Sequence, residues 1–250
     1  MNKENIRKFF GNVLDWIYPP VCVNCGKPGA LICQDCLAEM PAVGKHYCST
    51  CGKPLKPRHY CRHCGEAGFR FQSSRAPYLY DGAASAMIKA LKYNGTLGLV
   101  PILAGLLIEF WPDLHWEVDM VVPVPLAKKR QAHRGFNQSE KIAKHFAKGV
   151  GLSCDTRVLI KQRETRTQVG LDAAERRRNL DGAFAAEPIL VKEKRILLLD
   201  DVMTTGSTFA ECSAVLLDAG AKSVHCLSVA TTPTEHGKKK ILNAKSADTL

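Results

Sequence analysis

The chain has 250 residues, 46% hydrophobic and 24% charged, which excludes a wholly disordered polymer and leaves room for one large domain or two smaller ones. Its most apolar uncharged run, Leu97 to Ile108, is 12 residues long, short of the roughly 20 that span a bilayer, so an integral membrane protein is excluded. The net charge of +11 is concentrated in Ala127 to Arg134 (Lys128, Lys129, Arg130 and Arg134 with no acid) and Arg157 to Arg178 (seven bases against three acids), which implies a polyanionic partner, a phosphorylated small molecule or nucleic acid.

The first element predicted is a helix over 5–18. Ile6, Phe9, Phe10, Val13, Leu14 and Ile17 recur at helical spacing, and Pro19-Pro20 ends the pattern. Its apolar stripe is expected to pack on the rest of the protein. With Lys3, Glu4, Arg7, Lys8 and Asp15 breaking any continuous apolar core, the segment does not read as a secretory signal. The expected compartment is the cytoplasm, where cysteines read as metal ligands before they read as disulfides.

Next comes a cysteine-rich segment, 19–68. Eight of the eleven cysteines form four C-x-x-C pairs: Cys22/Cys25, Cys33/Cys36, Cys48/Cys51 and Cys61/Cys64. The run Cys22-Val-Asn-Cys25-Gly26-Lys27-Pro28 returns as Cys48-Ser-Thr-Cys51-Gly52-Lys53-Pro54, an internal repeat. Each C-x-x-C aims two thiolates at one ion, the following glycine permits the tight turn, and two such knuckles complete a tetrahedral site with no open position. The expectation is structural zinc, one or two ions per chain, supplying much of the folding energy of so short a segment. The repeat favours each unit holding its own ion. The short spacers leave a crossed pairing of the first and third knuckles open.

From residue 69 the pattern turns α/β. Strands are predicted over 76–80, 118–123, 195–199 and 223–230, and helices over 83–93, 97–110, 137–150 and 207–219, with a short helix or ordered loop over 172–179. Alternating strands and helices imply a parallel sheet covered on both faces. The tail from 234 is expected to be loose.

Arg195 to Thr208 is the most informative stretch. An apolar strand leads into Asp200 and Asp201, then Thr204, Thr205, Gly206, Ser207 and Thr208 open a helix. Ligands of open parallel sheets sit beyond the carboxyl ends of the strands. Free amides at a helix start suit a phosphate, and hydroxyls and a glycine help it approach. Carboxylates beside such a cradle make sense for a ligand that also carries vicinal hydroxyls, and a ribose 5-phosphate carries both.

These residues resemble the phosphoribosyl-pyrophosphate signature of type I phosphoribosyltransferases. The whole chain, from about Leu14 to Thr231, resembles the ComF (GntX-like) family of competence-associated proteins, which join a cysteine-rich zinc domain to a phosphoribosyltransferase-like domain. Three further segments carry the likeness: Val121 to Pro125 and on through Arg130 to Arg134-Gly-Phe-Asn137-Gln138-Ser139-Glu140; Arg163 to Leu171; and Arg176 to Asn179.

The resemblance implies a type I phosphoribosyltransferase-like domain over 69–233, with a hood at about 69–95. Asp200 and Asp201 would hold the ribose hydroxyls, directly or through Mg²⁺, and Thr204 to Thr208 would wrap the 5-phosphate. The turn Pro123-Val124-Pro125 would meet pyrophosphate, with Arg130 or Arg134 near its charges. Residues 161–179, with Arg163 and Arg176, would form a loop closing over the site. Loss of pyrophosphate leaves an oxocarbenium-like centre, so such chemistry needs stabilised charge and excluded water, not a nucleophile.

Three functions follow. The first is an accessory protein for DNA uptake or use of extracellular DNA, binding phosphoribosyl pyrophosphate or a ribose 5-phosphate ligand, single-stranded DNA without sequence preference, and uptake machinery at the inner membrane face. The second is an active phosphoribosyltransferase with an unidentified acceptor. The third is a nucleic-acid-binding zinc ribbon on an α/β scaffold, disfavoured because only Tyr47 and Tyr60 supply aromatics between Cys22 and Cys64.

Overall fold

The structure, a computed structural model, describes residues 19–56, 59, 61, 64, 68–163 and 182–233. The helix expected over 5–18, the element expected over 172–179, Arg176 and the tail from 234 lie outside the described residues.

One parallel sheet organises the chain. Its strands are β1 (Ser73–Arg75), β2 (Tyr78–Leu79), β3 (Met120–Pro123), β4 (Ser153–Cys154), β7 (Arg195–Met203) and β8 (Ser223–Thr231), in the order β1-β8-β7-β3-β4, with β2 also on β8. An antiparallel hairpin of β5 (Leu159–Lys161) and β6 (Phe184–Ala186) stands apart from it. Short helix α1 is Gln34–Ala38. Around the sheet lie α2 (Gly82–Asn94), α3 (Leu99–Phe110), α4 (Lys128–Arg134), α5 (Gln138–Val150), α6 (Pro188–Val191) and α7 (Ser207–Asp218). No helix among the described residues is long and apolar enough to cross a membrane.

Strand β7 explains the layering. Ile196, Leu197, Leu198 and Leu199 are all fully buried, because successive strand side chains point to opposite faces and both faces are covered. Leu197 and Leu199 pack with Leu91 of α2, Leu103 and Leu107 of α3, and Ile142 and Phe146 of α5. Ile196 and Leu198 pack with Phe209, Cys212 and Leu216 of α7 and Phe184 of the hairpin.

Three features differ from the periodicity. The strand expected over 76–80 is present only as Tyr78–Leu79, and a further short strand, Ser73–Arg75, precedes it across Ala76-Pro77, where proline has no amide to give the ladder. The strand expected to end at Leu199 runs on to Met203, because β8 pairs with it as far as Met203↔Thr231. Helix α4, all polar apart from one alanine and without a buried residue, has no apolar stripe to announce it; Gly135 ends it at φ +81°.

The cysteine-rich segment is seated on both cores. Cys22, Ile32, Cys36 and Met40 join the first, and Cys48 and Cys51 join the second beside Phe71.

Candidate functional site

Two Cys₄ centres occur. The sulfurs of Cys22, Cys25, Cys33 and Cys36 lie within 4.8 Å of one another, and so do those of Cys48, Cys51, Cys61 and Cys64. Pairing is therefore sequential, and the crossed alternative is set aside. Sulfur separations of 3.6 Å (Cys25–Cys33), 3.5 Å (Cys48–Cys64) and 3.6 Å (Cys51–Cys61) are close to the edge of about 3.8 Å of a tetrahedron with Zn–S bonds of about 2.3 Å. The donors fit structural zinc. Second-layer donors are in place as well: the Cys33 amide reaches the Cys22 sulfur at 3.5 Å, and Asn24 Nδ2 donates to the Cys36 sulfur at 3.2 Å. Burial pushes the Cys22 thiol up, but the amides of Cys25, Cys33 and Asn24 outweigh this and bring it down to about 6. At Cys36 of the same centre the Asn24 bond pulls down, but burial and the neighbouring sulfurs outweigh it and push the thiol up, so without an ion the four thiols do not ionise together.

The repeat is preserved in backbone detail. Cys22 N donates to Lys27 O at 2.8 Å and Cys48 N to Lys53 O at 2.9 Å. Gly26 and Gly52 turn at φ +76° and +68°.

The second centre of interest lies at the carboxyl ends of β3 and β7, which are neighbours in register (Pro123↔Leu199). The turn after β3 is tied to both sides. Val124 N donates to Leu199 O at 2.9 Å, and Asn137 Nδ2 donates to Val124 O at 3.0 Å while its Oδ1 caps α5 at Ser139 N. Pro123 and Val124 are buried, and Pro125 is half-buried.

Asp200 and Asp201 sit within the strand and have different surroundings. Asp200, partly buried, accepts from Ser139 Oγ at 2.6 Å and from the Asp201 amide at 2.8 Å. Burial, with the neighbouring charge of Asp201, pushes its carboxyl up to about 7. Asp201 is 2% exposed. Lys92 Nζ, from α2, lies 2.8 Å from each of its oxygens and donates to Oδ1, whereas the buried Oδ2 has no hydrogen-bond partner among the described residues. Burial pulls Lys92 down, but the charge and hydrogen bond of Asp201, with help from Asp200, leave its pKa raised.

Beyond Met203, Thr204 is exposed, Thr205 and Thr208 are half-buried, and Gly206 and Ser207 are buried. Gly206 turns at φ +78°, where a Cβ would come within 2.8 Å of Met203 Cε and 3.1 Å of Phe69 Cζ, so glycine is required there. Thr205 Oγ1 meets Ser207 Oγ at 2.9 Å across the turn and accepts from the Ser207 amide, the first of α7, at 3.4 Å.

A cavity of about 400 Å³ adjoins this region, lined by Lys92, Tyr93, Lys129, Arg130 and Arg134 among others. Arg134 lies over the Tyr93 ring at 5.9 Å and also donates to Gln138. Lys92 thus joins a cationic cavity to the buried carboxylate. Arg163 stands elsewhere, on the β5–β6 hairpin, and does not line this cavity.

Lys92 and Ser139 were not singled out from the sequence. Ser139 lies within the segment that carries the family likeness. Lys92 has a readable signal: Ala84, Ile88 and Lys92 are i, i+4, i+8, so the lysine prolongs the buried face of α2. His225, without a partner visible in sequence, contacts Ser73 Oγ at 2.9 Å and stacks on Trp116. Cys212 and Cys226 are fully buried, and Cys154 on edge strand β4 is half-buried.

The double zinc ribbon domain family matches residues 13–65, and the phosphoribosyl transferase domain family matches residues 113–247. DNA utilization protein YhgH of Salmonella typhi is 32% identical over 216 residues, which cover 82% of this chain and 94% of that protein. Competence protein F of Haemophilus influenzae is 28% identical over 205 residues, covering 79% and 83%. Competence protein ComFC of Streptococcus pneumoniae is 30% identical over 199 residues, covering 79% and 86%.

Proposed function

The chain belongs to the family of DNA utilization protein YhgH and competence protein F, and on that premise we propose that it is an accessory protein of DNA uptake or of the use of extracellular DNA. Its fold carries a binding site for phosphoribosyl pyrophosphate or a related ribose 5-phosphate. One observation carries this reading. A carboxylate pair, Asp200 and Asp201, stands within the last residues of β7, ahead of the hydroxyl-rich turn Thr204 to Thr208, and is joined through Lys92 to a cavity lined by Lys92, Lys129, Arg130 and Arg134.

In this reading the ribose hydroxyls donate to Asp200, the more accessible of the two carboxylates, while Asp201, 2% exposed and paired with Lys92, holds that lysine at the cavity. The amides and hydroxyls of Thr204 to Thr208 take the 5-phosphate at the start of α7. Pyrophosphate lies against the Pro123-Val124-Pro125 turn and the cations of the cavity. Two carboxylates are oxygen donors of the kind Mg²⁺ accepts, but Lys92 already balances Asp201. The residues therefore fit an ion carried in by the ligand's phosphates, where it would offset their charge. Should phosphoribosyl transfer occur here, the same cations would stabilise the departing pyrophosphate, and an assay of pyrophosphate release with candidate bases tests it.

Calorimetric titration with phosphoribosyl pyrophosphate and Mg²⁺ tests the site. Each charge-assisted hydrogen bond lost is worth roughly 1.5–3 kcal/mol, so Asp200→Asn with Asp201→Asn should lower affinity at least a hundredfold. A wild type that binds neither this ligand nor ribose 5-phosphate would overturn the assignment. Single-stranded DNA would bind through its phosphates to the cations of α4 and of residues 157–178. Its log affinity should fall linearly with log salt and depend little on sequence.

A further inference from the structure

The two copies of the C-x-x-C-G-K-P repeat share one backbone turn, with the same bond closing it, and have different surroundings. Lys27 of the first copy is exposed and pairs with Asp35. Lys53 of the second is 4% exposed, and its Nζ donates to Thr232 O at 2.7 Å and Thr232 Oγ1 at 3.1 Å. Gly26 has open space where a Cβ would stand, whereas a Cβ on Gly52 would come within 2.3 Å of Ser74 O. The second copy is thus seated against β1. Ser74 N donates to Thr50 O at 2.7 Å, and Arg75 donates to Ser49 O at 2.9 Å.

From Thr232 the contacts lead to the loop that opens α7. Thr232 Oγ1 donates to Thr204 O at 3.1 Å and Thr232 N to Met203 O at 3.0 Å. Ser74 Oγ donates to the Met203 sulfur at 3.0 Å, and Met203 in turn packs under Gly206. An ammonium is kept from water only where its donors find acceptors, and here those acceptors belong to the residue that bonds Thr204.

We propose that Lys53 is a positioning residue through which the second Cys₄ centre sets the geometry of the Thr204–Thr208 loop. The first centre has no such task. This rests on the reading of that loop as a phosphate cradle, but its mechanical part stands independently. With the second knuckle folded around its ion, the Lys53 backbone is fixed by the bond from Cys48 N, and its side chain holds Thr232 against the loop. A knuckle without metal releases that anchor, so ligand affinity follows the state of one zinc centre and not the other.

The test uses the full-length protein with Lys53→Met, and Lys27→Met as the matched control in the other copy. Amide hydrogen exchange at 203–208 is read without ligand, alongside affinity for ribose 5-phosphate and zinc content. Lys53→Met should speed exchange in the loop and weaken ribose 5-phosphate binding at least tenfold, with zinc content as in the wild type; Lys27→Met should change neither. Thr232→Val removes the bond to Thr204 O from outside the ribbon and should reproduce the faster exchange, which keeps the test alive if Lys53→Met fails to fold. Unchanged loop exchange in Lys53→Met or, failing that, in Thr232→Val overturns the proposal. Faster exchange in a protein whose wild type binds no ribose phosphate would uphold the anchor and remove the phosphate reading instead.

Discussion

At the scale of single residues, Asp200 gives a pH-dependent prediction. Its carboxyl stands at about 7 in the fold against an ordinary 3.8, so between about pH 4 and pH 7 the folded protein holds a proton that the unfolded chain has released. Stability from this group therefore falls as pH rises through that window and levels off above it. Asp200→Asn keeps an Oδ1 that accepts from Ser139 and from the Asp201 amide, and it removes the charge. Urea unfolding should show the variant gaining more over the wild type at pH 8 than at pH 5, and equal gains at both would contradict the shift. Lys92 gives a second prediction. Asp201 is buried and depends on it, so Lys92→Met should destabilise by about 3–5 kcal/mol at neutral pH, because an uncompensated buried charge remains. Adding Asp201→Asn should recover much of that loss in the same measurement.

At the scale of elements, α5 holds the site through its first turn. Asn137 both caps the helix and fixes the carbonyl of Val124, so one side chain couples a helix start to the turn after β3. Asn137→Ala should cost about 2 kcal/mol, roughly 1 from the cap and 1 from the second bond, seen as a lower denaturant midpoint with an unchanged slope. The elements around it differed in how legible they were. Helices α2, α5 and α7 were readable because each has an apolar face and a clear end, as Gly95 and Gly151 show for the first two. Helix α4 carries no apolar stripe, and the short strands β4, β5 and β6 are two or three residues long, too brief for a period to register.

At the scale of the whole molecule, the two Cys₄ units are parts of the cores on opposite faces of the sheet, through Cys22 and Cys36 on one side and Cys48 and Cys51 on the other. An ion bound at either centre would therefore be coupled to the stability of the α/β layers as well as to that of the ribbons. Elemental analysis of protein purified without chelator should give two zinc ions per chain, and a ratio near one would leave one unit unmetallated. Stripping the metal should lower the unfolding temperature followed by a probe of the sheet, such as fluorescence of Trp111 and Trp116. A sheet transition indifferent to chelation would mean that the ribbons are appendages.

The sequence by itself determined the four knuckles and their repeat, the alternation of strands and helices, and the carboxylate pair leading into a hydroxyl-rich turn. Each of these is a property of a short window: chelate spacing, side-chain periodicity, the start of a helix. Only the tertiary structure decided that the knuckles pair sequentially, that β7 runs past its two carboxylates, and that Lys92 reaches Asp201 from 109 residues away. Lys27 and Lys53 make the distinction sharpest. They stand in the same heptapeptide context, C-x-x-C-G-K-P, with the same backbone turn, yet one lies in solvent and the other is buried against Thr232, 179 residues along the chain. No local pattern separates them, because burial is set by what packs alongside, and what packs alongside a lysine here is the end of a strand near the far terminus.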